Sequence, residues 1–138
     1  QSGNVILDSR DDNIQVIEMK IQKLILDYFG FKVSVLVKIP ENIKQIFDDC
    51  PFPEDKKKAT YFMMLHDVPC DKLIKEASEK KYEFDEYIIK NDCIYLHCEK
   101  GMGKSKFNTN YFERKLNTFA TARNYKTMVK LLSLSFEE

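Results

Sequence analysis

A chain of 138 residues, 43% hydrophobic and 32% charged, can bury a core as one domain or as two small subdomains, and this composition excludes a disordered tail. Its longest apolar stretches, residues 61–65 and 130–136, fall far short of the ~20 residues that span a bilayer. No cationic and then apolar leader opens it, so a cytoplasmic protein that does not enter membranes is expected.

In chain order, Asn4 to Leu7 reads as a strand over residues 4–8. The polar run from Asp8 to Asp12 then makes a turn and a helix start. Ile14, Ile17, Ile21, Leu24, Ile25 and Tyr28 recur at spacings of three and four, which predicts an amphipathic helix ending at Gly30. Val33, Val35 and Val37 predict a second, largely buried strand over 33–39. Pro40 suits the first turn of a short helix through Ile43, Ile46 and Phe47. Pro51, Pro53 and the run Lys56-Lys57-Lys58 mark a connector over 51–58. It divides an N-terminal unit, 1–50, from a C-terminal unit, 59–138.

The C-terminal unit reads as a strand at 59–65, a helix at 70–80, and strands at 84–90 and 93–98 joined by a turn at Asn91-Asp92. After a loop at 99–106 come a helix carrying Tyr111, Phe112 and Leu116 and a last helix carrying Met128, Leu131 and Leu132. That order predicts an α+β fold with helices on one face of an antiparallel sheet. The N-terminal strand–helix–strand looks like the tail of the same unit, which implies two related units in tandem, the first one truncated.

The cysteines at 50, 70, 93 and 98 lack the spacing of a disulfide scaffold and read as free thiols. Net charge is zero, yet residues 1–98 hold 14 Lys and Arg against 18 Asp and Glu, while residues 99–138 hold 8 against 4. The C-terminal part is therefore the part that attracts anions.

Two segments can do so. Gly101, Gly103, Lys104, Ser105 and Lys106 lie between a strand and a helix, where glycine-loop amides and ammonium groups would cradle a phosphate. A nucleotide-binding P-loop also needs a glycine five residues before the Gly-Lys-Ser, and Cys98 stands there. The alternative is a loop that two glycines merely tighten. Arg123, Asn124 and Tyr125 form the second segment, fit either to grip a phosphate and stack on a base or to cap and pack the last helix.

His97 adjoins the glycine loop and shares a strand face with Cys93 and Tyr95, while Ile94, Leu96 and Cys98 face the core. Cys93 and His97 stand about 13 Å apart along a strand, too far for a thiol–imidazole dyad. His66 reads as a surface or hydrogen-bonded histidine. No metal site and no cofactor is expected. The acidic pairs Asp11-Asp12, Asp48-Asp49 and Asp85-Glu86 read as surface or capping charge.

The segments 1–5 (Gln-Ser-Gly-Asn-Val), 29–31 (Phe-Gly-Phe), 51–52 (Pro-Phe), 95–98 (Tyr-Leu-His-Cys), 101–106 and 120–127 (Ala-Thr-Ala-Arg-Asn-Tyr-Lys-Thr) stand in a telling order and spacing. By them the chain resembles an uncharacterised bacterial family, domain of unknown function 1697, along its whole length. Tyr125 stands where that family usually has Trp, and Cys50 where it often has Asn. The resemblance implies two ferredoxin-like subdomains in tandem, preceded by about 35 further residues that form a strand–helix–strand. It implies no activity. Without that segment the strands at 4–8 and 33–39 lose their central neighbour, so either another copy of the chain fills the gap or the two pair directly in parallel. Three functions fit: a binding module for a nucleic acid or phosphorylated small molecule; an enzyme with His97 as acid or base between the subdomains; and a protein-interaction module.

Overall fold

The computed structural model describes residues 3–10, 12–101, 103, 105 and 107–136. Its elements in order are α1 (Ile14–Phe29), α2 (Pro40–Asp48), α3 (Glu54–Lys57), β1 (Thr60–Leu65), α4 (Asp71–Ser78), β2 (Asp85–Lys90), β3 (Cys93–Cys98), α5 (Thr109–Leu116), β4 (Ala120–Asn124) and α6 (Tyr125–Ser135). The fold is α+β, built on a four-stranded antiparallel sheet in the order β2-β3-β1-β4.

The two central strands explain the architecture. β1 (Thr-Tyr-Phe-Met-Met-Leu) and β3 (Cys-Ile-Tyr-Leu-His-Cys) are apolar on both sides, so both faces of the sheet must be covered. On one face Met63, Leu65, Ile94, Leu96 and Cys98 pack with Ala77 of α4, Phe112 and Leu116 of α5, and Phe107. On the other, Phe62, Met64, Cys93 and Tyr95 pack with Ile43 and Ile46 of α2, Met128 of α6, and Phe52. Helices therefore cover both faces rather than the single face expected. Alternation along β3 falls as read from sequence, but the face that carries His97 is a second core. Phe52 anchors the 51–58 connector in that core, and Lys57 Nζ lies 3.9 Å from the centroid of the Phe47 ring.

Local signals set the element ends. Asn13 caps α1 by accepting from the Val16 amide, and Gly30 ends it at φ +79°, its N–H donating to Leu26 O at 2.8 Å. Asn91 takes φ +54° in the β2–β3 turn, the left-handed geometry that turn requires. β4 was not anticipated. Its sequence, Ala-Thr-Ala-Arg-Asn, has little strand character, and pairing with β1 makes it one.

The strands expected at 4–8 and 33–39 are absent. Both stretches run without regular structure and pair neither with each other nor with the sheet, so the direct parallel pairing does not occur. A strand is defined by its ladder, and valine-rich sequence alone does not supply one. The apolar stripe of α1 is likewise only half used. Glu18 is its one buried residue, at 5% exposure, while Leu24 is 67% and Tyr28 84% exposed.

No helix among the described residues is long and apolar enough to cross a membrane. Phe62 lies between the rings of Phe47 and Tyr95 and is wholly buried. Phe62→Ala should therefore cost about 3–5 kcal/mol in urea unfolding. Leu24→Ala on α1 should change stability by no more than about 0.5 kcal/mol; a loss as large as that at Phe62 would mean that α1 belongs to the core.

Candidate functional site

The described residues of the segments singled out for anion binding lie toward one end of the sheet, the glycine loop following β3 and Arg123 and Asn124 closing β4. His97 pairs across β3 and β1 with Thr60, and Asn124 and Arg123 pair across β4 and β1 with Tyr61 and Phe62. His97 and Arg123 thus share the face covered by α2 and α6, with β1 between them, roughly two strand spacings or ~10 Å apart. The His97 ring is half-buried, edge-on to Phe52 at 6.5 Å. Glu86 stands opposite it on β2 and pairs with Lys56.

In the loop after β3, Gly101 takes φ +90° and its N–H donates to Cys98 O at 3.0 Å. The Ser105 hydroxyl donates to Asp85 Oδ2 at 3.0 Å and accepts from the Phe107 amide at 3.0 Å. The Gly101 and Phe107 amides are thus hydrogen-bonded within the chain, and the Asp85 carboxylate takes the Ser105 hydroxyl. Gly103 has open space where a Cβ would stand. Lys104 and Lys106 lie outside the described residues. Burial pushes the Cys98 thiol up, so it stays protonated. Burial does the same more strongly to Cys93, and all four cysteines are free.

Arg123 does two jobs inside the molecule. Its guanidinium donates to Thr121 Oγ1 and Ala122 O along β4, and also to Asn4 Oδ1 at 2.8 Å and Gly3 O at 3.3 Å. Burial lowers its pKa, but far too little to remove the charge. Asn124 caps α6 by accepting from the Thr127 amide at 2.9 Å, and the Tyr125 ring lies 5.3 Å from Phe47. Arg123 thus ties β4 to the N-terminal stretch, 119 residues away.

A second cluster was not anticipated. His66, just past β1, places Nε2 2.8 Å from Glu18 Oε2 and Nδ1 3.0 Å from Asp67 Oδ2. Its ring lies tilted against that of Phe119, with centroids 4.6 Å apart. The other oxygen of Glu18 accepts from the Val37 amide at 3.0 Å. Asp67 is oriented in turn by Thr118. Hydrogen bonds to Asp67 first, and to Glu18 second, raise the His66 pKa, and the same bond lowers that of Asp67. The signal was present in the sequence: Glu18 stands inside the apolar stripe, four residues after Ile14 and three before Ile21. Next to it, Lys38 and Asp92 form an ion pair at 2.6 Å with side chains 8% and 18% exposed. Among the described residues no cluster of His, Cys, Asp and Glu could hold a metal ion.

Residues 1–95 match the family model described as "Protein of unknown function (DUF1697)", more than half of the chain. The chain belongs to this family. In this DUF1697 member the matched span holds α1, Glu18, His66 and the chain up to the middle of β3; the glycine loop and β4 lie beyond it. No curated protein and no solved structure matches the chain.

Asn124→Ala removes the α6 cap and should cost about 1 kcal/mol in thermal or urea unfolding. Arg123→Met should leave the sheet's circular dichroism in place but make residues 3–10 the first site of proteolytic cleavage. An unchanged cleavage pattern would show that Arg123 does not hold that segment.

Proposed function

We propose that the chain is a protein-interaction module whose N-terminal third associates with a second copy of itself. The observation that carries this is the poor burial of α1. An amphipathic helix that buries a single glutamate leaves Leu24, Tyr28 and Phe29 in water beside the exposed Phe31, and contiguous exposed apolar residues of this kind mark interaction sites. The flanking stretches 4–8 and 33–39 are rich in apolar residues and carry no strand ladder, which invites an added strand. A two-fold arrangement sets the same patch against itself and covers both copies at once. Zero net charge leaves no long-range repulsion between copies.

In this proposal the sheet, with its β-α-β-β-α-β order, is one ferredoxin-like unit, and the 4–8 and 33–39 stretches on either side of α1 become strands only on pairing with the partner copy. A strand from the partner copy lies between the 4–8 and 33–39 stretches.

A phosphate-bearing ligand, nucleic acid or phosphorylated small molecule, is the second candidate partner, at residues 101–106. Gly101 at φ +90° and the open space around Gly103 favour it, with Lys104 and Lys106 supplying charge. Such binding would weaken steeply with salt, whereas apolar self-association would not.

Light scattering across the micromolar range should find a dimer. The double variant Leu24→Lys with Tyr28→Lys should be a monomer with unchanged circular dichroism. A native chain that stays monomeric throughout, or a variant that still dimerises, would overturn the proposal.

A further inference from the structure

We propose that His66, held between Glu18 and Asp67, is a pH-operated latch that fixes α1 against the sheet while both ring nitrogens carry protons and loosens its hold when one is lost. The latch does not depend on self-association. It stands on the geometry of residues that lie away from the exposed face of α1.

Both ring nitrogens point at carboxylate oxygens, Nε2 at Glu18 and Nδ1 at Asp67. A neutral imidazole has one N–H, so only the imidazolium can donate to both. After deprotonation one carboxylate faces a lone pair. The tautomer that keeps its proton on Nε2 turns the lone pair to the exposed Asp67, but its bond to Glu18, whose side chain is only 7% exposed, is then no longer assisted by the ring's charge. The groups facing His66 are few. Glu18 comes from α1, Asp67 from the turn after β1, and Thr118 and Phe119 from the turn before β4. Lys38 acts on Asp67 from the 33–39 stretch and is itself paired with Asp92 and hydrogen-bonded to Asn42. The negative groups next to the ring therefore outweigh the positive.

His66 titrates above its ordinary value of 6.5 because both carboxylates favour the charged ring. Its contribution is thus fully present below the unfolded value and is lost as pH rises through the folded one. No residue of α1 belongs to either core, so the helix has little apolar packing to hold it once the latch opens. Asp67 has a lowered pKa, so that side of the latch fails only in strong acid.

Hydrogen exchange corrected for its intrinsic pH dependence, from about pH 5 to 9, tests this in the native chain. Protection of residues 14–29 should be lost with rising pH, at the midpoint at which the His66 ring resonances titrate, while β1 and β3 stay protected. His66→Gln should leave α1 poorly protected at every pH, and His97→Gln should retain the native dependence. Should His66→Gln fail to fold, the native titration decides alone. Helix protection that ignores pH, or follows a midpoint other than that of His66, would overturn the latch.

Discussion

The Glu18 carboxylate ties α1, which gives no residue to either apolar core, to two other parts of the chain. One oxygen accepts from Val37 and the other meets His66, so α1, the 33–39 stretch and the end of β1 converge on one buried group. A buried carboxylate is tolerated only when donors match it, and that requirement fixes where α1 lies more sharply than a greasy contact would. A hydrophobic contact is broad and forgiving, whereas this one is directional and changes with the protonation of its partner. The helix is consequently held by its polar exception while much of its apolar surface stays in water.

The sheet unit obeys a different rule. Its two central strands are apolar on both faces, and covering both of them consumes α2, α4, α5 and α6. Phe62 and Tyr95, which an open sheet could offer for base stacking, lie beneath α2 and α6. Interaction surfaces are then left to the ends of the sheet and to the N-terminal third. At the end that gathers His97, Ser105 and Arg123, most polar groups already serve the fold: Ser105 bonds Asp85, Arg123 holds Gly3 and Asn4, and Asn124 caps α6.

Much of this was legible in the sequence. The three- and four-residue spacing located α1, Gly30 marked its end, Asn91 marked the hairpin, and alternation sorted Ile94, Leu96 and Cys98 from Cys93, Tyr95 and His97. What failed were inferences that local sequence cannot decide. Val33, Val35 and Val37 have strand character without a neighbouring strand to pair with, and Ala120 to Asn124 have a neighbour without strand character. In both cases tertiary pairing overrode propensity. For Arg123 the sequence leaves the partner open, because a guanidinium grips backbone and amide oxygens with the same fork it offers a phosphate. Glu18 could have been found, since a lone carboxylate within an apolar stripe demands a buried donor. The donor, His66, lies 48 residues away, and only the fold brings the two together.

The central claim is that Glu18 and His66 hold each other through the charged form of the ring. A double-mutant cycle with Glu18→Gln and His66→Gln, read by urea unfolding below and well above the His66 titration, measures that coupling directly. A coupling of about 0.5–3 kcal/mol at the lower pH that falls clearly at the higher is the predicted result. No coupling at either pH, or the same coupling at both, would contradict it.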